Sequence, residues 1–432
     1  MKTKIGALIK NGFSKVKALF RGGFFHILTG DALSRMVGFI SSIAIVRIVS
    51  QEQYGQLSAI DNLFQYTDLF AGLGMATALL KYSKPAQDME TNRYYLNFSL
   101  KYGSLFQMGL SGLLAVYVLF GNISFPEARP LALVLLFFPV LKNVLAVYRS
   151  YIRSQMNNRL FANLGIVQTV VVFAGSVGFA LLFDVYGIVV ARYMAILLVI
   201  GIAVAYARKT MAGVKAKPVG ASEMRGYMKF SLKVMVASMF SLIIPINEGF
   251  LVNDIIRNEV ISAQYRVANL IPFQLMFIAQ AIAIYSFPLV SQIFDGKAAY
   301  KKIKNAGLAS FAIVLIIVVP AMLLTPFIFK IYGEQYAGAI DISYFFWIVH
   351  LFNAGIRVIP MNMLPAIGYT TFNMVNSVVS CLVHLGISYY AISNYGIEGV
   401  AYASAGVYLI SGIVYWIYLR HVCLKKGPRK LT

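Results

Sequence analysis

The feature that most constrains this chain is the return, from end to end of its 432 residues, of apolar runs twenty or more residues long. Wound as an α-helix at about 1.5 Å per residue, such a run matches the roughly 30 Å hydrocarbon core of a bilayer. Lipid offers no partner to a backbone amide, so a helix that satisfies its own N–H and C=O groups is the form the runs must take. An aqueous domain would need a polar stretch of a hundred residues or so, and none is present. The composition agrees: 59% hydrophobic, 12% charged, with a mean hydropathy of +0.72.

Polar or Gly/Pro clusters divide the runs into twelve expected spans, at 24–49, 57–80, 94–120, 130–150, 160–183, 186–207, 227–251, 263–290, 306–330, 338–360, 371–393 and 397–419. The expected fold is all-α and polytopic. Alternate connections hold 26 Lys and Arg on one side and 3 on the other. Basic loops are retained in the cytoplasm, so both termini are expected there. The same count explains the net charge of +22, which is dispersed among short loops and forms no single patch for nucleic acid.

The chain then reads as a basic segment 1–23, a first lobe 24–207, the connector 208–225 beginning "RKTMAGVKAKP", a second lobe 226–419 and a basic tail 420–432. Within 1–23, Ile5, Leu8, Ile9, Val16, Leu19 and Phe20 recur at helical spacing among cations. Two readings stand: an amphipathic helix on the inner leaflet, or a tail that only sets topology. No small-residue cleavage site follows a short apolar core, so no removable signal peptide is expected. Cys381 and Cys423 lie in unlike settings and suggest no disulfide, metal or redox motif.

Six spans per lobe make any internal duplication a parallel one, about an axis along the membrane normal. "YGIVVARY" from Tyr186 precedes the sixth span and "YGIEGVAY" from Tyr395 precedes the twelfth, an offset of 209. "YGQLSAIDNL" (54–63) and "SAQYRVANLI" (262–271) stand ahead of the second and eighth spans. Two lobes of six helices, pseudo-symmetric around a central cavity, are the expected architecture.

The fourth span contains "VLKNVLAVYR", with Lys142 and Arg149 seven residues apart. The tenth contains "IVHLFNAGIRVIP", with His350 and Arg357 also seven apart and 208 residues later. Seven residues are two helical turns, so each pair is expected to share a face, with Asn353 beside the second. A cation inside a span costs about 2.5–3.5 kcal/mol on insertion scales and usually faces a bundle interior or watery cavity. Two related basic stripes suggest an anion-binding cavity. Arg149 also suits a plain anchor at the cytoplasmic end of its helix.

Further polar groups lie in the spans. Asp31 and Arg35 form an i,i+4 pair in the first, where Arg35 is either an internal ion-pair partner or a cavity cation. Asp61, Gln65 and Asp68 line one face of the second, running toward Gly72. These carboxylates serve either H+ or Na+ coupling or as partners for the cavity's cations, the latter favoured. In the eighth, Arg266, Asn269 and Gln280 accompany Phe273 and Phe277, with Pro272 to bend the helix. A guanidinium with aromatic neighbours suits phosphate and sugar together. Glu248 and Asp254 end the seventh span with Arg257 nearby, as an outer gate or a solvated loop. Lys229 and Lys233 are expected to snorkel inward. Arg192 has no counterpart, because Ala401 takes its place at the 209 offset.

Taken in order, "YGQLS", "FAGLGMATALLKYSK", "NEVISAQYRVANLI", "SFPLVSQIF", "IYGEQYAGA", "PAIGYTTFNMVNSVV" and "YGIEGVAYASA" resemble the O-antigen and polysaccharide flippases of the multidrug/oligosaccharidyl-lipid/polysaccharide exporter superfamily. The motifs are loose singly and more specific in their order, which covers nearly the whole chain. The resemblance implies a bacterial inner-membrane transporter, not an enzyme. It would move an undecaprenyl-pyrophosphate-linked oligosaccharide, an O-antigen or capsule/exopolysaccharide repeat unit, from the cytoplasmic to the periplasmic leaflet. Alternating access would draw on an ion gradient, with Asp61, Asp68 and Glu248 as coupling candidates. Arg35, Lys142, Arg149, Arg266, Asn269, His350, Asn353 and Arg357 would hold the anionic headgroup and sugars. No cofactor or metal is implied; a polysaccharide polymerase and a chain-length regulator are candidate partners.

Two rivals are weighed against this. A drug or metabolite antiporter of the same superfamily would want carboxylates dominating the cavity, and here basic residues outnumber acids on the fourth, eighth and tenth spans. A membrane polymerase or ligase would need a large outer loop with catalytic groups. The longest outer connection is roughly a dozen residues. A glycine-rich phosphate loop is missing as well.

Overall fold

The computed structural model describes the backbone of residues 24–83, 88–291 and 293–427, with side chains from Met36 onward at most positions. The segment 1–23 and the side chains of Asp31 and Arg35 lie outside the described residues. Among the described residues the chain is helical almost throughout and contains no strand. Eight helical stretches among the described residues are long and apolar enough to cross a membrane, by length and composition.

The rods run in chain order. α1 is Phe24–Ile48, and α2 is Gln51–Phe70, resumed as Met75–Tyr82. α3 is Met89–Phe120, and α4 is Arg129–Leu135 with Phe138–Ser154. The stretch Asn158–Thr210 is broken at Phe183 and Asp184 into α5 (158–182) and α6 (185–210). α7 is Ala221–Ile256, and α8 is Glu259–Leu270 with Leu275–Ser291. α9 is Gly296–Tyr332. α10 is Ile340–Phe352, a π-helical turn Asn353–Arg357, and Val358–Ala366. α11 is Thr370–Tyr395, and α12 is Ile397–His421, closed by a second π-helical turn Val422–Lys426.

Caps explain several starts. Asp88 accepts from Glu90 N, Asn157 from Leu160 N, Asn258 from Ile261 N and Asp295 from Ala298 N, opening α3, α5, α8 and α9. Each side-chain oxygen takes up an orphan amide of the first turn, which stabilises a helix by about 1 kcal/mol. α9 begins ten residues before its expected span. Ala299 and Ile303 are buried there while Lys297, Lys301, Lys302 and Lys304 stay exposed, so the basic loop is a helical extension that keeps its charge in water. At the other end of the chain, Val422 and Cys423 are buried, which ties down the start of the basic tail.

The residues form two compact units. Unit 1 holds residues through Val49, Tyr66–Asn122 and Ala128–Ser238; unit 2 holds Ser50–Gln65, Ile123–Glu127 and the residues from Met239. Thus α2 and α7 each contribute to both. In unit 1, α1 packs on the α5–α6 stretch and α4 packs on α3, α2 and α5–α6. One core joins Leu79, Tyr95, Val147, Tyr151 and Tyr227; another joins Leu145, Ile152, Leu164, Ile196 and Val199. In unit 2, α10 lies against α8, α9 and α12, with cores around Met363, Tyr415 and Val290 and around Trp347, Val314 and Val358. Large apolar side chains such as Leu113, Phe120, Ile316 and Leu323 point outward, as lipid-facing surfaces do.

Backbone geometry corrects the register of the internal repeat. Asp184 (φ 49, ψ −135) and Gly396 (φ 60, ψ −142) adopt the same rare conformation at the turns before α6 and α12. Three residues later, Gly187 and Gly399 each press against a carbonyl of the preceding helix, at Phe179 and Ala391, where a β-carbon would collide. The structural offset is therefore 212, three more than the offset of the tyrosines. Arg192 then corresponds to Ser404, not Ala401.

Candidate functional site

In unit 1, α2 is interrupted just after Asp68. Gly72, Leu73 and Gly74 all have positive φ, and the groups freed by the break are met from neighbouring helices. Gln107 Oε1 accepts from Gly72 N at 3.3 Å, Ser231 donates to the Leu73 carbonyl, and Tyr227 donates to the Met75 carbonyl at 3.1 Å. The polar seam expected to continue to Gly72 ends in this turn. Asp68 is ion-paired to Lys142 of α4, with side chains 33% and 44% exposed. Arg149, one stripe-length on, is half-buried with its guanidinium 4.5 Å from the centre of the Phe161 ring.

In unit 2, Asp61 of α2 binds Arg266 of α8 at 2.8 Å, and the Tyr54 ring lies 5.1 Å from the Arg266 guanidinium carbon. One turn along α8, Asn269 meets His350 of α10 at 2.7 Å. Asn353 accepts from Arg357 Nη1 at 3.4 Å, and the Arg357 guanidinium stands 5.3 Å from the Tyr408 ring of α12. Tyr408 in turn donates to Glu248 of α7 at 3.0 Å. Both arginines keep a buried N–H edge with no protein partner among the described residues: Nη1 of Arg266 and Nε of Arg357.

Two expectations change. The π-helical turn 353–357 adds a residue between His350 and Arg357, which rotates one relative to the other by about 100°. They do not share a face: His350 turns to α8 and Arg357 to α12. Nor does Glu248 belong with Asp254 and Arg257. Those two form their own exposed pair at 3.5 Å, while Glu248 is 4% exposed inside the bundle. Phe273 sits in the turn 272–274 that splits α8, 43% exposed and edge-on to His350 at 5.6 Å, whereas Gln280 is exposed. Lys229 and Lys233 are exposed, as snorkelling requires.

Sequence reasoning passed over His384, Ser404 and Tyr408, which surround Glu248. A lone histidine in "CLVHLGISYY" was the available signal, since any ionisable group within a span is a candidate.

A family model described as polysaccharide biosynthesis protein matches residues 20–294. The chain belongs to this family. The kinship read from the motif order is thereby borne out, and this polysaccharide biosynthesis protein is a multi-pass membrane protein. A putative O-antigen transporter from Shigella flexneri is 26% identical over 188 residues, 43% of this chain and 44% of that one, so the match spans less than half of that relative. Among solved structures, the lipid II flippase MurJ in an inward closed conformation has a TM-score of 0.74 at 16% identity, over 91% of this chain and 86% of MurJ. An inward-facing multidrug resistance MATE transporter of the MOP superfamily has a TM-score of 0.71 at 14% identity, over 92% of this chain and 98% of that one. At such identities the likeness is one of fold alone.

Proposed function

We propose that the protein is a flippase that carries an undecaprenyl-pyrophosphate-linked oligosaccharide, an O-antigen or capsule/exopolysaccharide repeat unit, from the cytoplasmic to the periplasmic leaflet of the bacterial inner membrane. Both termini are cytoplasmic in this reading, and transport is ion-coupled. The observation that carries it is the pair of arginines inside the spans of unit 2, each held on one edge and backed by a tyrosine ring, with another N–H group buried and without a partner among the described residues. A guanidinium held in this way is pre-oriented to fork onto phosphate oxygens. In unit 1, Lys142 is a further cation within a span, partly exposed and ion-paired to Asp68. Family membership and the name of the Shigella relative support the same reading.

The test is complementation of a strain lacking the gene, scored by surface glycan. Neutralising Lys142, Arg266 or Arg357 to Gln should abolish export while protein abundance stays near normal. Ordinary export in all three variants would remove the assignment.

A further inference from the structure

Trp416 of α12 donates its indole N–H to the Ile356 carbonyl at 3.0 Å, and Ser310 of α9 donates its hydroxyl to the Ala354 carbonyl at 3.1 Å. Both acceptors are backbone groups of the π-helical turn Asn353–Arg357. In a regular helix such a carbonyl is taken by the amide four residues on. For Ile356 that amide is missing. Residue 360 is proline, which has no N–H to give, and its ring crowds the same carbonyl. A kink would relieve the conflict as well as a widened turn would. The helix widens: Val358 N donates to Asn353 O, five residues back instead of four. Trp416 then meets the carbonyl that Pro360 leaves over.

The neighbouring helices are shaped for this arrangement. A β-carbon on Gly307 of α9 would collide with the Trp416 ring, so the indole lies in the space that glycine leaves. On α12, a β-carbon at Gly412 would stand 3.0 Å from Ile356 Cγ2 and 3.4 Å from Arg357 Cα. That close approach brings Tyr408, about one turn before Gly412, to within 5.3 Å of the Arg357 guanidinium.

We propose that Trp416 and Ser310 are positioning residues for anion binding: their bonds to the Ile356 and Ala354 carbonyls hold the π-helical turn, and the turn aims Arg357 at α12. The positioning role, though not the hold on the turn, rests on the function proposed above. Neither side chain has to touch the ligand. The extra residue of the turn rotates Arg357 by about 100° relative to the helix before it. A regular helix here would carry the guanidinium away from the Tyr408 ring that backs it. Loss of the indole N–H leaves the Ile356 carbonyl without its partner, and the π-helical turn then loses a bond that favours it over other arrangements.

The experiment uses the full chain in lipid nanodiscs with tryptophan labelled with 15N at the indole nitrogen. The sequence has two tryptophans, so NMR gives two indole N–H signals, told apart by Trp347→Phe. Pro360→Ala supplies the missing amide to the Ile356 carbonyl. It should move the Trp416 signal and leave that of Trp347, which donates to Thr325 Oγ1 at 3.0 Å, in place. A Trp416 signal indifferent to Pro360→Ala would overturn the hold on the turn.

Binding of a short-chain polyprenyl diphosphate tests the positioning role. Trp416→Phe should weaken it about tenfold, the scale of one buried hydrogen bond lost, and Ser310→Ala should weaken it as well. Trp347→Phe loses an indole bond of the same length from α10 itself and should stay within about twofold of wild type, whatever its thermal midpoint. Pro360→Ala should also weaken binding, and adding Trp416→Phe to it should bring no further loss, because both release one turn. Where Trp416→Phe does not fold, the sulfur analogue of tryptophan, incorporated in the Trp347→Phe background, removes the N–H and keeps the ring. Unchanged binding without the Trp416 N–H, an equal loss in Trp347→Phe, or additive losses with Pro360→Ala would overturn the role. Failure of wild type to bind the diphosphate would reject the flippase reading and the role with it, while the indole signals would still decide whether Trp416 holds the turn.

Discussion

The guanidinium of Arg357 lies 5.3 Å from the centre of the Tyr408 ring, and the hydroxyl of that same tyrosine is 3.0 Å from Glu248. One side chain thus meets a cation with its face and an anion with its edge. Its two contacts can be separated by mutation. Tyr408→Phe keeps the ring and should bind a polyprenyl diphosphate within about twofold of wild type at a fixed pH, because the cation–π contact survives. Tyr408→Ala removes the ring and should weaken binding by the roughly 0.5–2 kcal/mol such a contact supplies, read by titration calorimetry. Equal behaviour of the two variants would show that the ring does not support Arg357.

The Arg266–Asp61 pair is half-buried, with side chains 29% and 19% exposed, so each partner is costly to leave alone. Arg266→Gln and Asp61→Asn should each lower the thermal midpoint of the purified protein, and their effects should be non-additive in a double-mutant cycle. The charge swap Arg266→Asp with Asp61→Arg should recover the thermal midpoint without restoring export, since the cation no longer stands on α8. Export by the swapped protein would argue that the pair matters only as a pair.

Lys142 and Asp68 form a more exposed bridge, worth about 0–1 kcal/mol in folding. Lys142→Ala should therefore leave the unfolding midpoint almost unchanged yet abolish glycan export, whereas Lys142→Arg should keep part of it. A variant that loses stability and export in proportion would reduce Lys142 to a structural role.

At the break in α2, Gly72 has φ +54 and a β-carbon would collide with Asn143 Oδ1. Gly72→Ala should destabilise the protein by more than about 1 kcal/mol, the scale of forcing alanine to positive φ, with the steric clash added. Pairing it with Asn143→Ala should recover only the steric part. Full recovery in a denaturation series would mean the backbone at this turn is not strained.

Much of the fold was legible because its determinants are local. Run length set the helices, and Asp184 between two apolar runs marked the α5–α6 break. The cap residues Asp88, Asn157, Asn258 and Asp295 were there to be read as well. The candidate site was legible only in part. Single cations in apolar spans stand out, as Lys142, Arg266 and Arg357 do, and of the two roles the sequence leaves to Asp61 and Asp68, coupling groups or partners of those cations, the ion pairs Arg266–Asp61 and Lys142–Asp68 match the second. The π-helical turn at Asn353–Arg357 was not readable, because it leaves the helix unbroken and changes only which way later side chains point. The surroundings of Glu248 come from α11 and α12, more than 130 residues downstream, and local pattern holds no information on that meeting. The repeat register slipped by three for a related reason: matching tyrosines drew the alignment, whereas the backbone turn is conserved in shape between Asp184 and Gly396, unlike residues in the same conformation.

The central claim is that arginines within the spans hold a lipid's diphosphate during its passage. The most direct measurement reconstitutes the full chain into liposomes with a fluorescent, short-chain polyprenyl diphosphate bearing one sugar, and follows its movement between leaflets by dithionite quenching. Wild type should move the probe far faster than empty liposomes, and Arg357→Gln and Arg266→Gln should fall to that background. Movement of the probe by both variants at the wild-type rate would contradict the account.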